Sequence, residues 1–182
     1  MALHMNGIFR GRRSQDIVHR WEGNPLIGIT DLRFKASDIH NAGLVEFEDK
    51  LLLLVTIEDL AGRRSIHLAR SADEGQFVVD AQPLLWPSMD PRYRRHESGG
   101  VLDARATFLD GVYYIMYTAL GDHGYRLGLG RTTDFDQVER IGLISEPDTK
   151  AGVLFPRKIG GRYAAMQRPD SIGGSENIWI DY

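Results

Sequence analysis

The sequence predicts an all-β fold built from repeated four-stranded units of the β-propeller type. Three observations carry this expectation. Apolar runs are separated by tight turns, one strand–turn–strand–loop–strand pattern recurs three times, and little of the chain has helical periodicity. An ordinary antiparallel sandwich with chance similarity between hairpins is the competing reading.

The first unit runs Leu44–Thr56 and then Ser65–Ser71, the second Arg105–Thr118 and then Arg126–Thr132, the third Val153–Met166 and then Asn177–Tyr182. Their first turns are Glu48-Asp49, Asp110-Gly111 and Gly160-Gly161. Asp-Gly between apolar runs is a strong hairpin signal, because a type I′ turn needs two residues that tolerate positive φ. Asp49 aligns with Asp110 and Arg70 with Arg131, each pair 61 positions apart. Matching turns at 70–74 and 131–135 lead into short fourth strands near Phe77–Asp80 and Gln137–Ile141. Two matched ends of one unit at the same offset favour repetition over the sandwich. Ser14–Trp21 is assigned a short turn.

This gives an N-terminal extension, 1–23, and blade-like units at about 41–87, 100–147 and 151–182. The third unit stops before a fourth strand. A propeller closes its ring to remove sheet edges and typically needs at least about four blades. The 182 residues are therefore expected to belong to a longer chain, and in isolation to pair through an open edge or aggregate.

Composition narrows the partners. The net charge of -3 lends no support to a nucleic-acid or anionic-membrane partner. The absence of cysteine rules out disulfides, a thiolate nucleophile and a Cys-ligated metal within this sequence. No apolar run approaches the roughly 20 residues that span a bilayer, the first residues lack an apolar signal-peptide core, and the expected location is cytoplasmic. His40, His67, His96 and His123 show no metal-ligand spacing, so no metal site is expected. Ser98-Gly99-Gly100 and Gly173-Gly174 read as turns. Trp21 and Trp86 are sugar-stacking candidates, whereas Trp179, on an alternating strand, is assigned to a core.

In a propeller, residues just ahead of each first strand converge on the axis. Asp103 holds that place in the second unit, Asn41 in the first, and Lys150 or Asp148 in the third. An acid, an amide and a cation around one pocket suit a polyhydroxylated ligand that carries or meets an anion. Glu58 and Asp59 end the apolar strand Leu51–Val55, and Arg168 emerges where the third unit's second strand ends. Glu97 is a further acid of the connecting segment. The bland alternatives are an exposed loop carboxylate for Asp103, local ion pairs for Glu58 and Asp59, and a loop pin for Arg168.

In order along the chain stand Asn24-Pro25-Leu26, Asn41-Ala42-Gly43, Glu58-Asp59, Leu68-Ala69-Arg70-Ser71, Gly100–Arg105, Asp110–Tyr114, Tyr117-Thr118-Ala119, Leu154-Phe155-Pro156, Ile159–Tyr163, Arg168-Pro169 and Ile178-Trp179-Ile180. Together they resemble glycoside hydrolase family 130, the β-mannoside phosphorylases and related β-mannosidases, from about Asn24 onward. The resemblance implies a five-bladed β-propeller with its active site at the axis, of which this chain supplies the first two and a half to three blades. It implies cleavage of β-mannosidic bonds with inversion. The phosphorylases transfer the mannosyl residue to inorganic phosphate as co-substrate, without a cofactor, giving α-mannose 1-phosphate, and the hydrolase branch uses water.

The family's catalytic acid lies in a Gly-Val-Glu-Asp-Pro-Arg motif, which places it on Asp103. It protonates the glycosidic oxygen through a hydroxyl of the mannosyl ring. Asn41, Glu58, Asp59, Arg105 and His123 are the expected substrate-binding residues, and Lys150 and Arg168 the expected phosphate contacts. The chain departs from the family at Leu102 (glutamate), Ala104 (proline), Thr56 or Ile57 (a sugar-holding arginine), and Asp122-His123-Gly124 (a segment with a phosphate-binding arginine). These departures leave two alternatives open: an inverting β-mannosidase and a catalytically silent glycan-binding propeller.

Overall fold

A computed structural model describes residues 22–73, 75–170 and 177–182. Ser14–Trp21 and Gly173-Gly174 lie outside the described residues. The chain is all-β, with eleven strands and one 3₁₀ turn, Ile29–Asp31, among the described residues. The first unit holds β1 (Asp38–Phe47), β2 (Lys50–Glu58), β3 (Arg64–Asp73) and β4 (Gln76–Val79). The second holds β5 (Gly100–Leu109), β6 (Val112–Gly121), β7 (Gly124–Thr132) and β8 (Glu139–Leu143), and the third β9 (Thr149–Leu154), β10 (Ala165–Pro169) and β11 (Trp179–Asp181). Each unit is an antiparallel meander, and one parallel bridge, Arg64 to Gly100, joins the first two units into one sheet.

The second strand of each complete unit carries the core, which explains its nearly unbroken apolar run. In β2, Leu52 and Leu54 face the second unit and pack with Val101, Ile115 and Tyr117. Val55 and Ile57 face the other way, against Ile27, Phe34 and Ile39. β6 repeats the arrangement: Ile115 and Tyr117 turn toward the first unit, while Met116 packs with Leu127 and Leu154 of the third interface.

The hairpin turns fall where the sequence places them. Glu48, Asp49, Asp110 and Gly111 all have positive φ, as type I′ geometry requires. The alignment of Asp49 with Asp110, however, is one residue out. Phe47 pairs with Lys50 and Leu109 with Val112, so Glu48 is the counterpart of Asp110 and Asp49 that of Gly111. The first two strands therefore repeat at an offset of 62, the spacing of Asn41 and Asp103. Arg70 and Arg131, opposite Leu52 and Tyr114, do match at 61. The β2–β3 connection absorbs the difference: five residues separate the paired Glu58 and Arg64, and four the corresponding Leu120 and Tyr125 of β6 and β7.

Two further expectations change. The first strands begin earlier than predicted, at Asp38, Gly100 and Thr149, because ladder pairing continues on both sides of an internal bulge. Trp179 is 55% exposed rather than buried, because β11 is the outermost strand of its sheet and pairs only with β10.

The connection from β4 to β5 is tied down by Glu97, whose side chain is fully buried. Arg140 of β8 donates to both of its oxygens, through Nε at 3.1 Å and Nη2 at 2.9 Å. The Tyr117 hydroxyl donates at 2.8 Å and the Ser88 amide at 2.7 Å. Burial, with the Glu97 carboxylate beside it, holds the Tyr117 phenol well above its ordinary pKa, so it remains a donor.

His67, buried on β3, is stacked on Phe34 with ring centroids 5.2 Å apart. Its Nδ1 faces the Asp80 carbonyl at 2.8 Å and its Nε2 the Ser65 hydroxyl at 3.1 Å. A carbonyl only accepts, so the neutral ring carries its proton on Nδ1. Burial lowers its pKa below the ordinary 6.5. The unfolded chain then binds a proton that the folded one refuses, and stability falls as pH drops from about 6.5 toward the folded-state value. Melting temperatures measured across pH 7 to 5 should fall in the wild type and change less in His67→Gln.

Candidate active site

All three first strands break register at the same point, two residues facing one. Asn41-Ala42 oppose Val55, Asp103-Ala104 oppose Tyr117, and Ala151-Gly152 oppose Gln167. The leading residue of each bulge has positive φ: 54° at Asn41, 57° at Asp103 and 56° at Ala151. Asp103 therefore sits within its strand, on a bulge that re-aims its side chain, and not ahead of the strand. The third-unit counterpart of Asn41 and Asp103 is Ala151, one residue beyond Lys150.

The bulges interlock. The Asn41 side-chain amide donates to Asp103 Oδ1. Arg105 Nη1 donates to the Ala104 carbonyl at 3.0 Å and to the Asn41 carbonyl at 3.4 Å, bracing both bulges. Gly43 permits this approach, since a Cβ there would stand 2.3 Å from the Ala104 oxygen. Asn41, Asp103, Arg105, Ala151 and Arg168 line one cleft of about 490 Å³, which Val153, Met166 and Ile178 flank with apolar surface. Asp103 is the sole carboxylate among its described lining residues, with two guanidiniums, Arg105 and Arg168, and two carboxamides, Asn41 and Gln167, around it. A larger cleft of about 850 Å³, lined by the segment from Glu22 to Ile27 and by Ile39, His40 and Ala42, also reaches Asn41.

The remaining expected residues lie apart from the smaller cleft's lining. Glu58 is paired with Arg64 at 2.6 Å. Asp59 caps its own loop, accepting from the amides of Ala61 at 2.8 Å and Arg63 at 3.0 Å, which with the Arg63 side chain holds its pKa below the ordinary value. Lys150 points to Asp170 at 2.8 Å, an ion pair that raises the lysine pKa and lowers the aspartate's. His123 stands on the β6–β7 turn, its ring 6.4 Å from that of His96. Asp122 accepts from the Ser98 hydroxyl at 2.9 Å, so its charge is turned to the connecting segment. Register places Arg168 opposite Lys150, the counterpart of Thr56 opposite His40, two residues short of the position that Glu58 occupies. Among the described residues no group of three acidic or histidine side chains could hold a metal ion.

A family model described as β-1,4-mannooligosaccharide phosphorylase matches residues 10–181. The chain belongs to glycoside hydrolase family 130. It is 36% identical over 117 residues to the β-1,2-mannobiose phosphorylase of Listeria innocua, covering 63% of this chain and 31% of that protein. It is 24% identical over 165 residues to the β-1,4-mannooligosaccharide phosphorylase of Ruminococcus albus, covering 87% and 48% respectively. A solved structure of the Listeria innocua enzyme in complex with β-1,2-mannobiose superposes with a TM-score of 0.75 at 26% identity, over 88% of this chain and 61% of that one. The family 130 chain thus spans less than half the length of these curated relatives.

One contact at this cleft lies beyond the expected roles. Thr56, noted in the sequence only as one of two positions for a missing arginine, is fully buried, and its Oγ1 accepts from the Asp103 amide at 3.1 Å. A threonine in an apolar run gives no signal alone. Thr118 at the same offset as Asp103 from Asn41 was the available clue.

Proposed function

We propose that the protein is a glycoside phosphorylase that transfers a β-linked mannosyl residue to inorganic phosphate with inversion, giving α-mannose 1-phosphate. The observation that supports this is the cleft itself, in which one carboxylate faces two guanidiniums. An ordinary inverting glycosidase needs a second carboxylate to activate water on the opposite face of the sugar. Phosphate arrives as an anion and needs no such base, so one acid suffices. Asp103 gives its proton, by way of a mannosyl hydroxyl, to the glycosidic oxygen. The phosphate oxygen bonds to C1 as the C1–O bond breaks, and the released sugar keeps the proton.

Arg168 is the direct phosphate contact, because its planar fork matches two phosphate oxygens. Lys150, its neighbour across the ladder, adds positive charge from behind while paired to Asp170. Asn41 and Arg105 hold the acid and the sugar side of the cleft. The units are read as the first two and a half to three blades of a five-bladed propeller with this cleft at its axis, and the reaction needs no cofactor.

The relatives' names supply β-1,2 and β-1,4 linkages, so the test uses mannobiosides of both, with and without phosphate, on the intact protein. Mannose 1-phosphate formed only with phosphate is the expected result. Free mannose without phosphate would make the protein a hydrolase, and binding without turnover a glycan-binding protein.

A further inference from the structure

The two bulges that follow a complete unit are fastened by the same device. Thr56 Oγ1 accepts from the amide of Asp103 at 3.1 Å, and Thr118 Oγ1 from the amide of Ala151 at 3.3 Å. Both threonines are buried, 0% and 1% exposed, and both stand opposite the residue that precedes a bulge, His40 and Leu102. The leading amide of a bulge has lost its ladder partner. A non-glycine residue holds positive φ only where its surroundings fix it. A hydroxyl reaching across from the preceding unit meets both needs.

We propose that Thr56 is a positioning residue for the reaction: its hydroxyl fixes the bulge at Asp103 and so aims the carboxylate into the cleft. Asp103 is then held at two points, its amide by Thr56 and its Oδ1 by the Asn41 carboxamide, which leaves Oδ2 for the substrate. The inference rests on the reading of Asp103 as the acid. The chain contains a comparison of its own. Thr118 makes the same bond beneath Ala151, a cleft-lining residue on the phosphate side with no acid to aim, so fastening a bulge is common to both threonines and aiming the proton donor belongs to Thr56.

The test compares Thr56→Val with Thr118→Val in the intact protein, by mannoside phosphorolysis and thermal melting. Displacing a reacting group by about 1 Å costs up to about 100-fold, so Thr56→Val should lower kcat roughly 10- to 100-fold with KM for phosphate within about twofold. Thr118→Val should lower the melting temperature similarly and, because its bulge lies on the phosphate side, act on KM for phosphate, with kcat at saturating phosphate changed less than about threefold. Thr56→Ser, which restores the hydroxyl, should return kcat to within about threefold of wild type. Should either valine variant fail to fold, Thr56→Ala against Thr118→Ala carries the same comparison. Equal losses of kcat in the pair, or failure of the serine to rescue, would overturn the positioning role. Asp103→Asn is run beside them. Turnover retained in that variant would remove the acid assignment itself, whereas turnover lost there but kept in Thr56→Val would remove only the role of Thr56.

Discussion

Asp103→Asn should lower kcat for phosphorolysis by at least about 100-fold, the lower end of what a general acid contributes. The substitution preserves shape and removes the acidic proton. The new carboxamide keeps an oxygen that can accept from the Asn41 amide, and the main-chain bond to Thr56 does not involve the side chain. Asparagine tolerates positive φ as aspartate does, so the bulge at Asp103 is kept and the melting temperature should hardly move. Initial rates and a thermal melt on one preparation separate the two effects. A rate within a few-fold of wild type would take the acid role away from Asp103.

The second large effect concerns stability. Glu97→Leu removes the only carboxylate that the Arg140 side chain meets among the described ion pairs, and it strands the Tyr117 hydroxyl and the Ser88 amide. Arg140 is itself 18% exposed at its side chain, so solvent only partly replaces the lost partner. Breaking a buried ion pair by deleting one member costs about 3–5 kcal/mol. Urea titrations should show a lower midpoint with an unchanged slope, the product of slope and midpoint shift giving a loss of that size. A loss under about 1 kcal/mol would mean that Arg140 finds water once Glu97 is gone. The consequence reaches the cleft, because the segment that Glu97 anchors runs straight into β5.

What the sequence revealed, and what it withheld, follows from the range of the interactions. Turns and strands are local. Asp110-Gly111 and Gly160-Gly161 announce their geometry through residues that tolerate positive φ, and Leu51–Val55 announces a strand buried on both faces. The bulges are not local. Asn41, Asp103 and Ala151 share no residue type: the sequence matches Asn41 with Asp103 but points to Lys150 or Asp148 in the third unit, and Ala151 and the bulges themselves appear only once each strand is paired with its neighbour. The motif reading reached Asn41, Asp103, Arg105 and Arg168, which the fold brings around one cleft. It also proposed Lys150, Glu58, Asp59 and His123, whose charges or rings the structure turns toward Asp170, Arg64, Arg63 and His96. Ion pairs between loops depend on rotamers, and no spacing rule encodes those.

The one-residue difference between the β2–β3 loop and its counterpart separates segments of this chain that tolerate a change of length from those that do not. Beyond Glu58 an added residue lengthens a solvent-facing loop, and every side chain before and after it keeps its face. Between Asn41 and Thr56 the same addition would shift β2 by one step against its neighbours. Side chains alternate along a strand, so Leu52, Leu54 and Thr56 would turn away from the second unit while Leu53, Val55 and Ile57 took their place. Asp103 would lose its hydroxyl partner without any change in its own sequence. Insertions and deletions among relatives should therefore collect in the outer loops and spare the stretch from each bulge to the threonine behind the next.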